Sequence, residues 1–244
     1  MTTRPSGRNF THSIVQELGV NIVTGVYTEK NPFPVEEELC RRLGASRTVL
    51  REAVKMLTAK GMLSARPRQG TKVQPESNWN LLDPDILRWM LERKYSSELL
   101  VQFNEVRLAI EPQAAALAAL NAGDDEKLAV RVAIERMRAA ERGEDDPLES
   151  DIAFHVAVLR ATRNHFYMHL TELTSTALRF SIRTTNRYKG VRLANVADHK
   201  KVADAILAGK PAVASDAMRK MIQEVLDLIH EHEMPSPTAR ARRA

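Results

Sequence analysis

Apolar residues recur at helical spacing along almost the whole chain, and the breaks between periodic stretches mark its elements. From Thr11, the positions Ile14, Val15, Leu18, Ile22 and Val23 describe an amphipathic helix ending near Gly25. The run Asn31-Pro32-Phe33-Pro34 cannot continue a helix and makes a turn. Pro34 then leads a short helix, VEEELCRRLG, with Leu39 and Leu43 inward and its acids near the positive N-terminal end. Gly44-Ala45 turns the chain into ASRTVLREAVKMLTAK, a third helix. Ser46 is its expected N-cap, Val49, Leu50, Ala53, Val54, Met56 and Leu57 its apolar side, and Gly61 its C-terminal stop. The next stretch, MLSARPRQGTKVQP, predicts two short extended pieces around Arg66-Pro67-Arg68-Gln69-Gly70, a β-hairpin with a basic tip.

Beyond it, ESNWN reads as a short linker, and LLDPDILRWMLER is helical through Ile86, Leu87, Met90 and Leu91. Trp79 and Trp89, close by, are expected to be packing anchors between domains. From Ser97 onward six helices are expected, at about 97–121, 124–142, 147–162, 164–187, 192–209 and 211–232, each bounded by a breaker or cap and none with strand-like alternation. Helices joined by short loops make an antiparallel bundle. The fold class is thus mainly α. A winged helix-turn-helix of three helices and a β-hairpin wing (11–75) is joined through a linker with a connecting helix (76–96) to an all-α antiparallel bundle (97–233). A basic tail (234–244) is expected to be disordered.

Charge sharpens this division. Through residue 75 there are twelve Lys+Arg against six Asp+Glu, from 76 to 239 twenty-one against twenty-five, and the net charge is +5. A basic head on a mildly acidic body suits double-stranded DNA as a partner. One cysteine, Cys40, excludes an internal disulfide framework and fits a reducing cytoplasm. No apolar run approaches the ~20 residues of a membrane span, and residues 1–20 lack a signal-peptide core, so a cytoplasmic protein without a membrane partner is expected. On the third helix of the head, Arg47, Thr48, Arg51 and Lys55 fall off the apolar face, where a recognition helix meets base edges and phosphates. An ordinary surface helix with solvated arginines is the alternative from that helix alone.

The run PVEEELCRRLGASRTVLREAVKMLTAKGML followed by RPRQGTKV resembles the GntR superfamily of bacterial transcription regulators. The resemblance lies at Pro34, Glu36, Leu39, Ser46, Arg47, Arg51, Glu52, Ala53, Gly61, Gly70 and Thr71. It implies that Arg47 and Arg51 read the operator, that Ser46 and Thr48 meet phosphate or a base edge, and that Arg68 and Gly70 serve the wing. Glu37 departs from the arginine that some fatty-acid-responsive members carry there. The helical remainder is similar to the FCD ligand-binding domain of the FadR branch. The phrase NWNLLDPDILRWMLE resembles the matching stretch of repressors of galactonate catabolism.

In the bundle, Asp151 and His155 lie four apart and project from one helix face, with His199 on a later helix. A structural Asp–His couple would also fit. One carboxylate and two imidazoles suit a divalent transition metal, zinc first, with nickel or manganese as alternatives. The resemblance supports this set as the metal ligands of FCD domains. It also places Met221 where many members carry a fourth histidine, implying three ligands with an open side. His165 and His169 share a face without a carboxylate at useful spacing and are read as ordinary surface or core residues.

Arg107, in the phrase VRLAIEP, stands where the family points an arginine at an effector carboxylate; an internal pair with Glu105 or Glu111 is the alternative. Asn195 is placed to bond an effector hydroxyl, and Arg183 and Asn186 lie in a segment that the family varies. The expected protein is a homodimeric repressor on a palindromic operator, responsive to a small hydroxycarboxylate such as an aldonate, galactonate for instance. A metal-independent regulator answering to acyl-CoA or another carboxylate is the alternative. An enzyme is not expected, since no general base accompanies the proposed metal ligands and a DNA-binding head would be idle.

Overall fold

The computed structural model describes residues 7–28, 31–66, 70–93, 96–189 and 195–233. The chain forms two compact units, 1–95 and 96–244. In the first, α1 (Gly7–Val23), α2 (Glu36–Leu43) and α3 (Arg47–Ala59) precede the antiparallel strands β1 (Leu63–Arg66) and β2 (Gly70–Val73). The strands pair Leu63 with Val73 through to Arg66 with Gly70. Helix α1 begins four residues ahead of the expected Thr11.

Local chemistry accounts for the turn between α2 and α3. Gly44 closes α2 at φ +61°, a left-handed conformation that glycine adopts without steric cost, and the Cys40 carbonyl ends the helix. Ser46 starts α3, its hydroxyl accepting from the Val49 amide at 3.3 Å. The core of the unit collects Ile14, Val15, Leu18, Leu39, Leu50, Ala53, Leu57, Met62 and Leu63, all buried.

Helix α4 (Pro84–Arg93), expected within a linker, is packed as part of this first unit. Trp89 is 1% exposed and lies against Gly19, where any Cβ would overlap its six-membered ring. Its indole N–H donates to Gln16 Oε1 at 2.7 Å, and that of Trp79 donates to the Gln74 carbonyl at 3.0 Å. Both tryptophans therefore find polar partners inside the first unit. Lys60 adds an ionic tie, its ammonium 2.7 Å from Asp83 and 2.9 Å from Asp85.

The second unit contains α5 (Ser97–Asn121), α6 (Asp124–Glu141), α7 (Pro147–Ala161), α8 (His165–His169), α9 (Thr171–Lys189), α10 (Val196–Leu207) and α11 (Pro211–Glu233). Seven helices stand where six were expected among these residues. The stretch 164–187 breaks at Leu170, whose amide bonds to the Tyr167 carbonyl three residues back, a tighter turn than an α-helix makes. Phe166, 84% exposed, offers α8 little burial to hold it in line with α9. Helix α5 packs along α11, α6 on α7, and α10 on both α6 and α11. Between them lie Ala114, Ala118, Val130, Phe154, Val158, Val202, Ile206, Met218 and Ile222.

The Gly19–Trp89 contact predicts that Gly19→Ala lowers the stability of the first unit by about 1–3 kcal/mol, because the ring has packed neighbours on its other side. Urea unfolding followed by Trp fluorescence measures this. Gly25→Ala, in open space but at φ +73°, should cost about 1 kcal/mol of backbone strain and leave the Trp89 signal native-like; an unchanged midpoint in Gly19→Ala would refute the packing account.

Candidate functional site

On the head, Ser46, Arg47, Thr48 and Arg51 are all exposed at the start of α3. The Ser46 hydroxyl already serves as a cap. Arg51 Nε donates to Glu36 Oε2 at 2.8 Å, and Arg47 Nε lies 3.9 Å from Glu36 Oε1. One carboxylate on α2 thus holds both arginines, and the Arg51 hydrogen bond draws the Glu36 carboxyl below its ordinary range. Gly70 opens β2 at φ +75° with open space around it, so the hairpin needs its backbone freedom there. Arg68 lies outside the described residues. Glu36 had been noted only as a pattern position; a helix-to-helix pairing leaves no periodic trace in a sequence.

In the second unit, α7 delivers Asp151 and His155 to the same spot as His199 from α10. One ligand atom from each lies within 4.8 Å of the others, and all three residues are buried. His155 Nε2 is 3.4 Å and His199 Nε2 3.2 Å from Asp151 Oδ1. Neither Asp151 Oδ1 nor His199 Nε2 makes a hydrogen bond.

The other ring nitrogens explain why. His155 Nδ1 lies 2.6 Å from Glu111 Oε2, and His199 Nδ1 lies 2.8 Å from the Asn195 carbonyl oxygen. An ionised carboxylate and a carbonyl only accept, so both Nδ1 atoms donate, and in the neutral imidazoles both Nε2 atoms carry lone pairs. With both rings neutral, three acceptors therefore converge in a buried space, and Asp151 Oδ1 and His199 Nε2 have no hydrogen-bond partner. Such a set is costly unless a cation stands between its members. The donors, two imidazole nitrogens and a carboxylate oxygen, fit a borderline divalent metal. The Phe154 ring, fully buried, packs edge-on beside both imidazoles and keeps the surroundings apolar.

A cavity of about 70 Å³ adjoins this cluster, with room for several waters at ~10–15 Å³ each. Arg107, Asn186, Asn195 and Met221 line it, together with Asp151, His155 and His199. Arg183 is exposed, and α9 contributes Ser181, Ile182 and Thr185 to the wall instead. Asn195 spends its side-chain oxygen capping α10, accepting from Ala197 N at 3.1 Å. Arg107 Nε donates to Glu111 Oε1 at 2.6 Å, which realises the internal pair weighed above. Glu111 itself was offered only as a partner for Arg107; its bond to His155, 44 residues away, belongs to the tertiary fold alone. Burial by itself would raise the Glu111 pKa, but Arg107 and His155 outweigh it and hold the group at about 2. Asp151 is likewise drawn well below the carboxylate range against its own burial, by the attraction that His199 and His155 exert when their rings carry protons.

Comparison with known proteins places both units. Residues 10–73 match the model of bacterial regulatory proteins, gntR family, and residues 102–224 match the FCD domain. The galactonate operon transcriptional repressor of Escherichia coli K12 is 33% identical over 215 residues, 88% of this chain and 94% of the repressor. The HTH-type transcriptional regulator YieP of the same organism is 34% identical over 168 residues, 68% of this chain and 73% of YieP. Among solved structures, the Lar protein of Listeria monocytogenes superposes with a TM-score of 0.54 at 14% identity, covering 96% of this chain and all of Lar, a likeness of fold.

A group whose pKa is depressed in the fold stabilises it above the unfolded pKa, and that contribution fades as pH falls through the folded value. With Glu111 drawn from 4.5 to about 2, the second unit should lose stability as pH falls across that window. Urea midpoints read by circular dichroism between pH 5 and 2.5 should fall less steeply in Arg107→Met/Glu111→Gln than in the wild type. Equal slopes would mean that Glu111 contributes nothing as an anion.

Proposed function

The chain belongs to the gntR family of bacterial regulatory proteins, with an FCD domain behind its winged head, and from that premise we propose that it is a metal-dependent repressor released from its operator by a small hydroxycarboxylate of the sugar-acid kind. It is a DNA-binding transcription regulator and not an enzyme. The observation that carries the finer reading is the buried convergence of Asp151 Oδ1, His155 Nε2 and His199 Nε2, with Asp151 Oδ1 and His199 Nε2 left without a hydrogen-bond partner.

In this reading those three residues hold a divalent transition ion, zinc before nickel or manganese. Met221, a soft thioether, leaves one side of the site to solvent or ligand. The bound ion supplies a Lewis-acidic centre for a carboxylate and its α-hydroxyl. Arg107 adds a cationic wall, and Asn186 and Asn195 offer polar groups toward hydroxyls. The similarity to the galactonate operon repressor supports an aldonate as the ligand class. The alternative, an acyl-CoA-type effector, needs a long apolar bed, and a cavity of about 70 Å³ with Arg107, Asp151 and Asn186 in its wall is too short and too charged for one. On the head, Arg47 and Arg51 read base edges, Ser46 and Thr48 lie at the backbone, and the wing with Arg68 and Gly70 adds a further contact. Two copies on a palindromic operator would match the habit of such heads.

Elemental analysis of purified protein should find close to one metal per chain, and His155→Ala should lose it while still binding operator DNA. D-galactonate and related aldonates should release wild type from the operator in a gel shift but not release His155→Ala. Arg51→Ala should weaken operator binding by about 1–3 kcal/mol without changing metal content. A wild-type protein that takes up no metal after reloading, yet still responds to an aldonate, would overturn the metal-dependent reading.

A further inference from the structure

The carboxylate of Glu111 divides its two oxygens between the proposed effector arginine and a proposed metal ligand. Oε1 accepts from Arg107 Nε at 2.6 Å, and Oε2 faces His155 Nδ1 at 2.6 Å and Arg107 Nη2 at 3.4 Å. Arg107 Nη1 in turn donates to Asn104 Oδ1 at 3.0 Å, an oxygen that also accepts from the Ser181 hydroxyl at 3.3 Å. Asn104 is pinned by its amide to the Leu100 carbonyl at 2.8 Å. The chain of bonds runs unbroken from α9 through α5 to α7, and every side chain in it is buried.

These side chains are all buried, where charges interact more strongly than in bulk water, so a change at one end is felt at the other. An anion placed on Arg107 takes up part of its positive charge and leaves Glu111 less compensated. Glu111 then pulls harder on the His155 N–H. An imidazole whose Nδ1–H is held by a carboxylate is a better oriented and more basic donor at Nε2.

We propose that Glu111 is the positioning residue that links Arg107 to His155, so that anion binding at the arginine and cation binding at Asp151, His155 and His199 reinforce each other. By linkage the effect is reciprocal. The inference rests on the metal-site reading above and adds to it a route by which the two ligands sense one another.

Cobalt(II) alone serves as the probe, its visible absorption reporting both affinity and ligand set. Titrations compare wild type, Glu111→Gln, Arg107→Met and the double variant. Removing one partner strands a buried charge, so the double variant, which removes both, guards against loss of fold; thermal melts check each protein. Glu111→Gln should weaken cobalt binding roughly ten- to a hundredfold. Arg107→Met, which leaves Glu111 uncompensated, should tighten it although Arg107 is none of the proposed ligands, and the double variant should match Glu111→Gln. Equal cobalt affinity in all four proteins, or an Arg107→Met effect that persists unchanged without Glu111, overturns the link and leaves the metal site standing. A folded wild type that binds no cobalt overturns both.

Discussion

Three hydrogen-bond acceptors facing one another in an apolar interior form the constraint around which the second unit is arranged. Asp151 Oδ1 and the two Nε2 atoms of His155 and His199 cannot satisfy each other, and the bonds that fix the opposite ring nitrogens prevent the rings from turning away. A packed core would expel such a group unless something repaid its desolvation. The folding of α7 and α10 against each other, with Phe154 filling the space beside them, is what holds the acceptors together.

That constraint extends outward through α5. Arg107 and Glu111 are one helical turn apart, so their pairing is local, and the pair then reaches α7 through His155 and α9 through Asn104 and Ser181. The cavity beside it is small and two-sided, with Arg107, Asp151 and the two histidines facing Leu178, Ile182, Ile222 and Val225 across it. Specificity in such a site comes from matching polar groups rather than from apolar volume.

The head is organised on different terms. Its α2–turn–α3 geometry rests on Gly44 in the left-handed region and on the Ser46 cap, both short-range devices. Glu36 adds a longer-range feature by gathering Arg47 and Arg51 against α2. Helix α4 joins this unit because Trp89 packs against α1 at Gly19, where no side chain stands in its way, and Lys60 finds two carboxylates to hold its ammonium.

Most of the secondary structure was legible in the chain, since helical periodicity with Ser, Asp, Gly and Pro punctuation is local information. The three helices of the head and the hairpin, the long helices of the bundle and the face-sharing of Asp151 with His155 all follow from spacing alone. Three features did not follow. The break at Leu170 depended on whether Phe166 would be buried, which only packing decides. The place of α4 depended on a glycine seventy residues earlier. The role of Glu111 depended on α5 and α7 coming together, because a bond across 44 residues leaves no period to read. Sequence by itself determined which side chains share a helix face and where each helix stops. Tertiary structure alone decided which faces meet, and so which acceptors are left without a donor.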